Sequence, residues 1–369
     1  MLGVRMTVAG RSDVGRVRKN NEDAFTVTDL DSGTRFEASE GSHELDLLER
    51  GILLALSDGM GGHQAGEVAS ALVLDSLRKD MRSAGSGPIQ QKIAAAVSRA
   101  NAAVREASKS AEKHGMGATL TAVFVHGSEA YVAEVGDSRA YLLRGGRLRQ
   151  ITRDQTLVQA MVDQGVLSPD QAKKSAQKNI VLQAVGLADD VRVAIGRFEY
   201  RRGDRILICS DGVSNALAED ELRDLLSTAT PKDACDRVID LANERGGQDN
   251  ATAIVAEFDG DGLQPPDPSE SVTQAFKVLQ AFDARLGGPP SVVTKVDETP
   301  ELASAGVVES RSTAVAATEV GIPLPASPES RMVAAPARAG LSWLFVVIAV
   351  AVGVLGAFVY LFTGHGASR

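Results

Sequence analysis

The sequence predicts an α+β layered fold, in which strands cluster and helices come in pairs between the clusters. Two observations carry this. Short apolar runs rich in β-branched residues recur between turn signals, whereas helical periodicity is confined to a few longer stretches. The regular strand–helix alternation of a parallel sheet is absent, and no internal repeat is visible. Aromatic residues make up only 4% of the chain, so aliphatic side chains must fill the core.

The elements follow in order. A helix is predicted from about Gly66 to Met81. A second opens at Pro88, which suits a first helical turn because its φ is preset and its missing N–H is not needed there. Ile89, Ile93, Ala96, Val97, Ala100, Val104 and Ala107 form its apolar stripe. TLTAVFVH, AYVAEVG, AYLLR and RLRQI read as successive strands, with Gly145–Gly146 as a two-residue hairpin turn. VRVAIGRFEY, RILICS and ATAIVAEF are further strands, with two helices between the last two.

This pattern occupies residues 1–258. Residues 259–340 are rich in Pro, Ser, Ala, Val and Glu and read as a low-structure linker, with a flexible-coil span of roughly 50 Å. Within it, Val272, Phe276, Leu279, Phe282 and Leu286 recur at helical spacing, so a short helix and plain linker are both consistent with that stretch. Residues 341–362 are apolar and free of charge, long enough to cross a ~30 Å hydrocarbon core as a transmembrane helix. Trp343 and Tyr360 stand near its two ends, as interfacial aromatics do. Arg331 and Arg338 before the span outnumber Arg369 after it, a small excess that favours the N-terminal part inside. The expectation is a single-pass cell-membrane protein with its large domain cytoplasmic and a short 363–369 tail. MLGVRMTVAG has no apolar run, so no secretory signal is expected.

The net charge of −9 argues against a nucleic-acid partner. It leaves room for phosphorylated substrates, which a few local cations or metals can hold. Cys209 and Cys235 have no zinc spacing and read as buried, reduced thiols.

Five acidic motifs stand out: NNEDA (Asn20–Ala24), SDGMGGH (Ser57–His63), GDSRA (Gly136–Ala140), SDGVSN (Ser210–Asn215) and GGQDN (Gly246–Asn250). Asp58, Asp137 and Asp211 each follow a predicted strand and adjoin glycine; Gly246–Gly247 lie just before Asp249. A strand end gives a carboxylate a rigid support, and glycine lets backbone come close. Several carboxylates converging would repel one another unless cations neutralised them. Oxygen-only clusters suit hard ions, Mg²⁺ or Mn²⁺. Any one motif alone is a turn signal; the ordered set points to one site.

Together SDVGRVRKNNEDAF, SDGMGGHQAGEVAS, GATLTAVFV, VAEVGDSRAYLLRGGRL, ILICSDGVSNAL and GGQDNATAIV resemble the bacterial form of the PPM, or type 2C, metal-dependent Ser/Thr protein phosphatases, from Met6 to about Phe258. The resemblance implies a four-layer α-β-β-α sandwich, two antiparallel sheets flanked by helix pairs, with metals in a cleft between the sheets. It implies that Asp58 bridges two Mn²⁺ or Mg²⁺ ions, with the Gly59 carbonyl as another ligand. Asp211 and Asp249 match further ligands of one metal. Glu22 and Asp23 match acids that ligate the second metal or hold its waters. Asp137 matches the ligand of a third, weaker metal, although a structural turn would also explain GDSR. Arg18 matches the arginine that grips the substrate phosphate, a task suited to a forked guanidinium; Arg16 and Lys19 read as solvated charges. Thr119 is expected to pack beside the site.

The activity implied is hydrolysis of phosphoserine and phosphothreonine in proteins by a water activated between two metals. Expected partners are phosphorylated proteins, Hanks-type Ser/Thr kinases and their targets. The alternative is a weak pseudophosphatase serving as a phosphoprotein-binding scaffold. His63 has two readings: a general acid for the leaving serine oxygen, or a residue that shapes its loop.

Two stretches depart from the family pattern. DQT (Asp154–Thr156) stands where members carry DHS, and SAQKN (Ser175–Asn179) where they carry an HPQRN-like run. Both bound the flap, about 154–186, whose interior reads as a helix, a turn and a second helix started by Ser168–Pro169. These changes bear on substrate choice more than on catalysis. The chain between Asp29 and Gly51 is longer than two strands require and reads as a surface insertion.

Overall fold

The computed structural model describes residues 3–36, 41–61, 65–110, 115–267 and 272–283. The expected span at 341–362 and most of the linker lie outside these residues. Among the described residues no helix is long and apolar enough to cross a membrane.

The first half contributes β1 (Arg5–Asp13), β2 (Asp23–Asp29), β3 (Arg35–Phe36), β4 (His43–Asp46), β5 (Ile52–Met60), α1 (Ala65–Ser83), α2 (Ile89–Ala107), β6 (Gly117–Ala118) and β7 (Leu120–His126). The chain then forms β8 (Glu129–Val135), β9 (Arg139–Arg144), β10 (Arg147–Gln150), α3 (Leu157–Asp163), α4 (Pro169–Lys174), β11 (Ala194–Glu199) and β12 (Arg205–Cys209). Last come α5 (Asp211–Ser214), α6 (Glu219–Thr228), α7 (Pro231–Glu244), β13 (Ala251–Asp259), α8 (Val272–Ala275) and β14 (Lys277–Gln280). One sheet has the order β10-β9-β12-β13-β1-β4 and the other β14-β11-β8-β7-β5-β2-β3, with β6 attached to β5. Neighbouring strands are antiparallel throughout.

Alternation along the strands builds the four layers. Successive side chains of a strand face opposite sides. On β5, Ile52, Leu54 and Leu56 join the core between the sheets, while Leu53 and Ala55 pack with Ala69, Val73 and Leu77 of α1 and Val97 and Ala100 of α2. On β13, Ile254, Ala256 and Phe258 enter the central core, while Ala253 and Val255 meet Cys235, Val238 and Ile239 of α7. Both faces are covered, so the strands read as nearly continuous apolar runs. The expected α-β-β-α sandwich is what these three clusters form. Gly145 and Gly146, at φ 55° and 75°, make the left-handed turn that pairs Arg147 with Arg144.

Two regions differ from the sequence expectation. The insertion is more than a surface excursion. Its β3 pairs with β2 and its β4 with β1, so each sheet gains an edge strand, and Leu45 is buried in the central core. The rings of Phe36 and His43, one from each edge strand, lie 4.6 Å apart.

The ordered chain also does not end at Phe258. The helix considered over Val272–Leu286 is only Val272–Ala275, and Lys277–Gln280 is a strand on β11. Leu279, placed on that helix by spacing, lies in the strand. The reason is the free edge of β11, whose backbone groups outbid a helix that would have had only a few apolar residues to bury. Phe276 fills the space over Gly196, where an added Cβ would stand 2.1 Å from its Cζ, and joins the central core. Phe276→Ala is therefore expected to destabilise the chain by about 3 kcal/mol, measured by urea unfolding. A cost near zero would show that the domain ends before the strap.

Candidate metal centre

The centre lies at one edge of the sandwich, where both sheets supply acids. Asp23 opens β2 and faces Asp58 of β5 as its direct register partner. Directly opposed residues of antiparallel strands have Cβ atoms about 5 Å apart, so these carboxylates share one face. The other sheet supplies Asp211, directly after β12, and Asp249, just before β13. These two ends are neighbours: the Ser210 N–H donates to the Thr252 carbonyl at 3.1 Å. Gly212 is needed there because an added Cβ would lie 2.0 Å from the Asn250 carbonyl oxygen. Asp137 sits in the turn from β8 to β9, where the chain passes from one sheet to the other.

Asp23 ties the sheets together. Its Oδ2 accepts hydrogen bonds from Ser210 Oγ at 2.8 Å and Thr252 Oγ1 at 2.7 Å, both from the opposite sheet. Its Oδ1 is buried without a partner. Burial pushes the Asp23 carboxyl up to about 7, against the pull of those two hydroxyls. Burial likewise raises Asp58 far above the usual carboxylate range, with the charges of Asp23, Asp211, Asp137 and Asp249 adding to it. Asp211 is pushed up to about 6 and Asp137 to about 7, in each case by burial first and by neighbouring acids second. The structure thus gathers five of the acids singled out in the sequence. Glu22, raised chiefly by burial, stands beside them.

The backbone here is pinned by residues to which the sequence reading gave no such role. Asn250 accepts the Glu22 N–H at 2.8 Å and donates to the Val14 and Asn20 carbonyls, both at 2.9 Å. The 14–22 loop is thereby fastened to β13. Thr119 Oγ1 accepts the Asp58 N–H at 2.9 Å and shares a hydrogen bond with Ser138 beside Asp137. Ser138, Ser210 and Asn250 each adjoin a motif acid, which is the one signal the sequence held. Gly59 donates to the Glu22 carbonyl, and its missing side chain lets α1 approach: an added Cβ would be 2.0 Å from the Gly66 oxygen.

Arg18 does not stand alone. Its Nη2 donates to Asp249 Oδ2 at 2.7 Å, with its side chain half exposed. His63 lies outside the described residues. In the flap, Ser168 caps α4 with Gln171 as expected. The DQT departure turns out to be a root. Asp154 takes a bidentate contact from Arg139, and the buried Gln155 accepts the Gly136 N–H at 2.8 Å. Its side chain serves the backbone instead of facing a substrate. At the flap's other end, Lys178 donates to Asn215 Oδ1 at 3.1 Å, and Asn215 donates to Asp211 Oδ2 at 3.2 Å.

An oxygen-only set of repelling, buried carboxylates with one orphaned oxygen fits hard divalent cations. Among the described residues no three His, Cys, Asp or Glu side chains converge closely enough to hold an ion by themselves.

Two outcomes follow. Thr119→Val leaves the buried Asp58 N–H without an acceptor, so unfolding should cost about 1–3 kcal/mol less and Mn²⁺ affinity by calorimetry should fall. The pH effect has a defined sign. Asp23, Asp137 and Asp211 have folded values raised from 3.8 to about 7, 7 and 6, so the stability they contribute is present below pH 4 and lost as pH rises toward 7. Metal uptake at pH 6 should then release protons, read from the buffer dependence of the binding heat.

Known proteins resemble this chain in sequence and in fold. The pattern of the family described as Protein phosphatase 2C matches residues 42–248. The serine/threonine protein phosphatase PstP of Mycobacterium tuberculosis is 38% identical over 250 residues, 68% of this chain and 44% of that protein, so the chain spans under half of that relative's length. The serine/threonine phosphatase stp of Listeria monocytogenes is 33% identical over 255 residues, 68% of this chain and 94% of that protein. Among solved structures, M. tuberculosis PstP/Ppp superposes with a TM-score of 0.59 at 37% identity, covering 69% of this chain and 98% of that one. The PstP catalytic domain in complex with two manganese ions gives 0.58 at 36%, covering 69% and 99%. The chain belongs to the protein phosphatase 2C family.

Proposed function

We propose that the chain hydrolyses phosphoserine and phosphothreonine in proteins in a metal-dependent reaction, tethered to the membrane and acting against Ser/Thr kinases and their targets. The observation that carries the chemistry is the meeting of Asp23, Asp58, Asp211 and Asp249 from two sheets, beside Arg18. The names of the relatives and the two manganese ions of the PstP structure support it.

Asp58, Asp211 and Asp249 would hold one ion and Asp58, the Gly59 carbonyl, Glu22 and Asp23 the second, with Asp137 for a third. Bound there, two Mn²⁺ or Mg²⁺ ions supply a water acidic enough to attack phosphorus in line and neutralise charge on the phosphoryl oxygens. The chain's own residues do the rest. Asn250 and Thr119 hold the 14–22 loop and Asp58 in place. Arg18 keeps one guanidinium nitrogen on Asp249, which leaves its other N–H groups for a phosphate. Every acid of the expected set is present, which favours an enzyme over a pseudophosphatase.

Support for the tether is the charge-free stretch at 341–362. The kinases as opponents rest on the likeness to bacterial Ser/Thr phosphatases alone.

A Mn²⁺ titration of the full chain with a phosphothreonine peptide and p-nitrophenyl phosphate tests the reading. Asp58→Asn should lower kcat by at least about 100-fold with the fold intact by circular dichroism. No turnover of either compound at any Mn²⁺ level would sink it. His63→Gln separates the two roles of that residue. Loss confined to a phosphoserine peptide, whose leaving oxygen needs a proton, marks the general acid. Equal loss on p-nitrophenyl phosphate marks a loop-shaping residue.

A further inference from the structure

The acidic centre has two lips, and each carries a cation. Arg18 is on the 14–22 loop; Lys178 is on the flap, and both charges act on Asp211. Lys178 sits where the flap turns back on itself. Its N–H donates to the Ser175 carbonyl and the Ile180 N–H to that of Gln177. The Ile180 carbonyl in turn accepts the Leu157 N–H at 2.8 Å, and Val181 bridges to Thr156. The turn is thereby held against the start of α3.

What Lys178 touches sets it apart. Arg18, Arg139 and Arg153 each face a carboxylate, of Asp249, Asp154 and Asp163 respectively. Lys178 forms no ion pair among the described residues; its ammonium donates to the neutral amide oxygen of Asn215. An amide oxygen fixes the ammonium's position and leaves its charge uncancelled. Lys173 and Lys174, exposed in the last turn of α4, add the same sign to this lip. A phosphorylated residue held by Arg18 next to Asp211 must run its neighbouring residues along one lip or the other. The flap lip offers a positioned cation that is not itself ion-paired among the described residues.

We propose that Lys178 is a specificity-determining residue, receiving the carboxylate of an Asp or Glu that neighbours the phosphorylated residue, so that acidic phosphopeptides are the preferred substrates. This deepens the phosphatase reading of the same centre and rests on it. Asn215 acts as the positioning partner that keeps the ammonium at the rim.

The test uses two phosphothreonine peptides that differ only in having Asp or Ala at the flanking positions. Their binding to the full chain is measured by fluorescence anisotropy before Mn²⁺ is added, for the wild type, Lys178→Met and Lys178→Arg. The acidic peptide should bind the wild type about five-fold tighter, the size of one partly exposed charge contact. The preference should vanish in Lys178→Met, persist in Lys178→Arg and shrink with added salt. An equal preference in Lys178→Met, or none in the wild type, overturns the proposal. Turnover after Mn²⁺ addition is read separately: its failure sinks the phosphatase reading, while the binding ratio still decides the role of Lys178.

Discussion

The structure depends on one unfavourable interaction, the mutual repulsion of carboxylates buried at the junction of the two sheets. Asp23, Asp58, Asp137 and Asp211 all sit above the ordinary carboxylate range because burial and neighbouring acids disfavour their charges. A chain spends stability on such an arrangement only where the acids have a task, and the surroundings are built to hold them. Register places Asp23 against Asp58. Ser210 and Thr252 clamp Asp23 from the opposite sheet. Asn250 binds the loop that carries Glu22. The packing of the sandwich and the integrity of the centre are therefore one interface.

That identity explains where the fold is reinforced. If the sheets slid, Asp23 would lose both hydroxyl donors, so ties across the sandwich matter more than ties within a sheet. Arg144 of β9 makes such a tie. It pairs with the fully buried Asp204 at 2.6 Å and donates to the Glu199 carbonyl of β11, in the other sheet. Breaking a buried pair of this kind leaves a charge uncompensated, which is why its loss costs far more than a surface pair. At the two open edges the insertion and the C-terminal strap extend each sheet by backbone pairing and send Leu45 and Phe276 into the core between the sheets. β3 and β4 close one edge, and Phe276 with β14 closes the other.

What the sequence disclosed follows from how much physics is local. The long helices and the central strands were legible because each has an apolar face of its own. β3, β4 and β14 were not, since strands of two to four residues have no period to read, and each forms only because a neighbour offers an unpaired edge. In the centre the acids were legible through the glycines beside them. Thr252 was not, and of Thr119 only its place beside the site was read, because a hydroxyl that serves a distant backbone amide or carboxylate looks like any other strand threonine. The Arg18–Asp249 pair spans 231 positions and has no local trace.

The flap shows how one departure from the family pattern can matter less than another. Its root is rigid. Arg139 holds Asp154, and Gln155 is tied to Gly136, next to Asp137. Root and Asp137 are thus tied by hydrogen bonds, so the DQT change acts on the frame of the centre instead of on its opening. The far end is tied to the start of α3 by the Leu157–Ile180 hydrogen bond and to the centre by Lys178 on Asn215. Val166, Ile180 and Leu182 of the flap and Leu187 just after it are four of the six large apolar side chains exposed among the described residues. Apolar surface left open beside a cation suits a peptide that is held and then released. A tight closed lid would have buried those side chains. The SAQKN change therefore falls on the half of the flap that carries Lys178, away from the root that frames the centre.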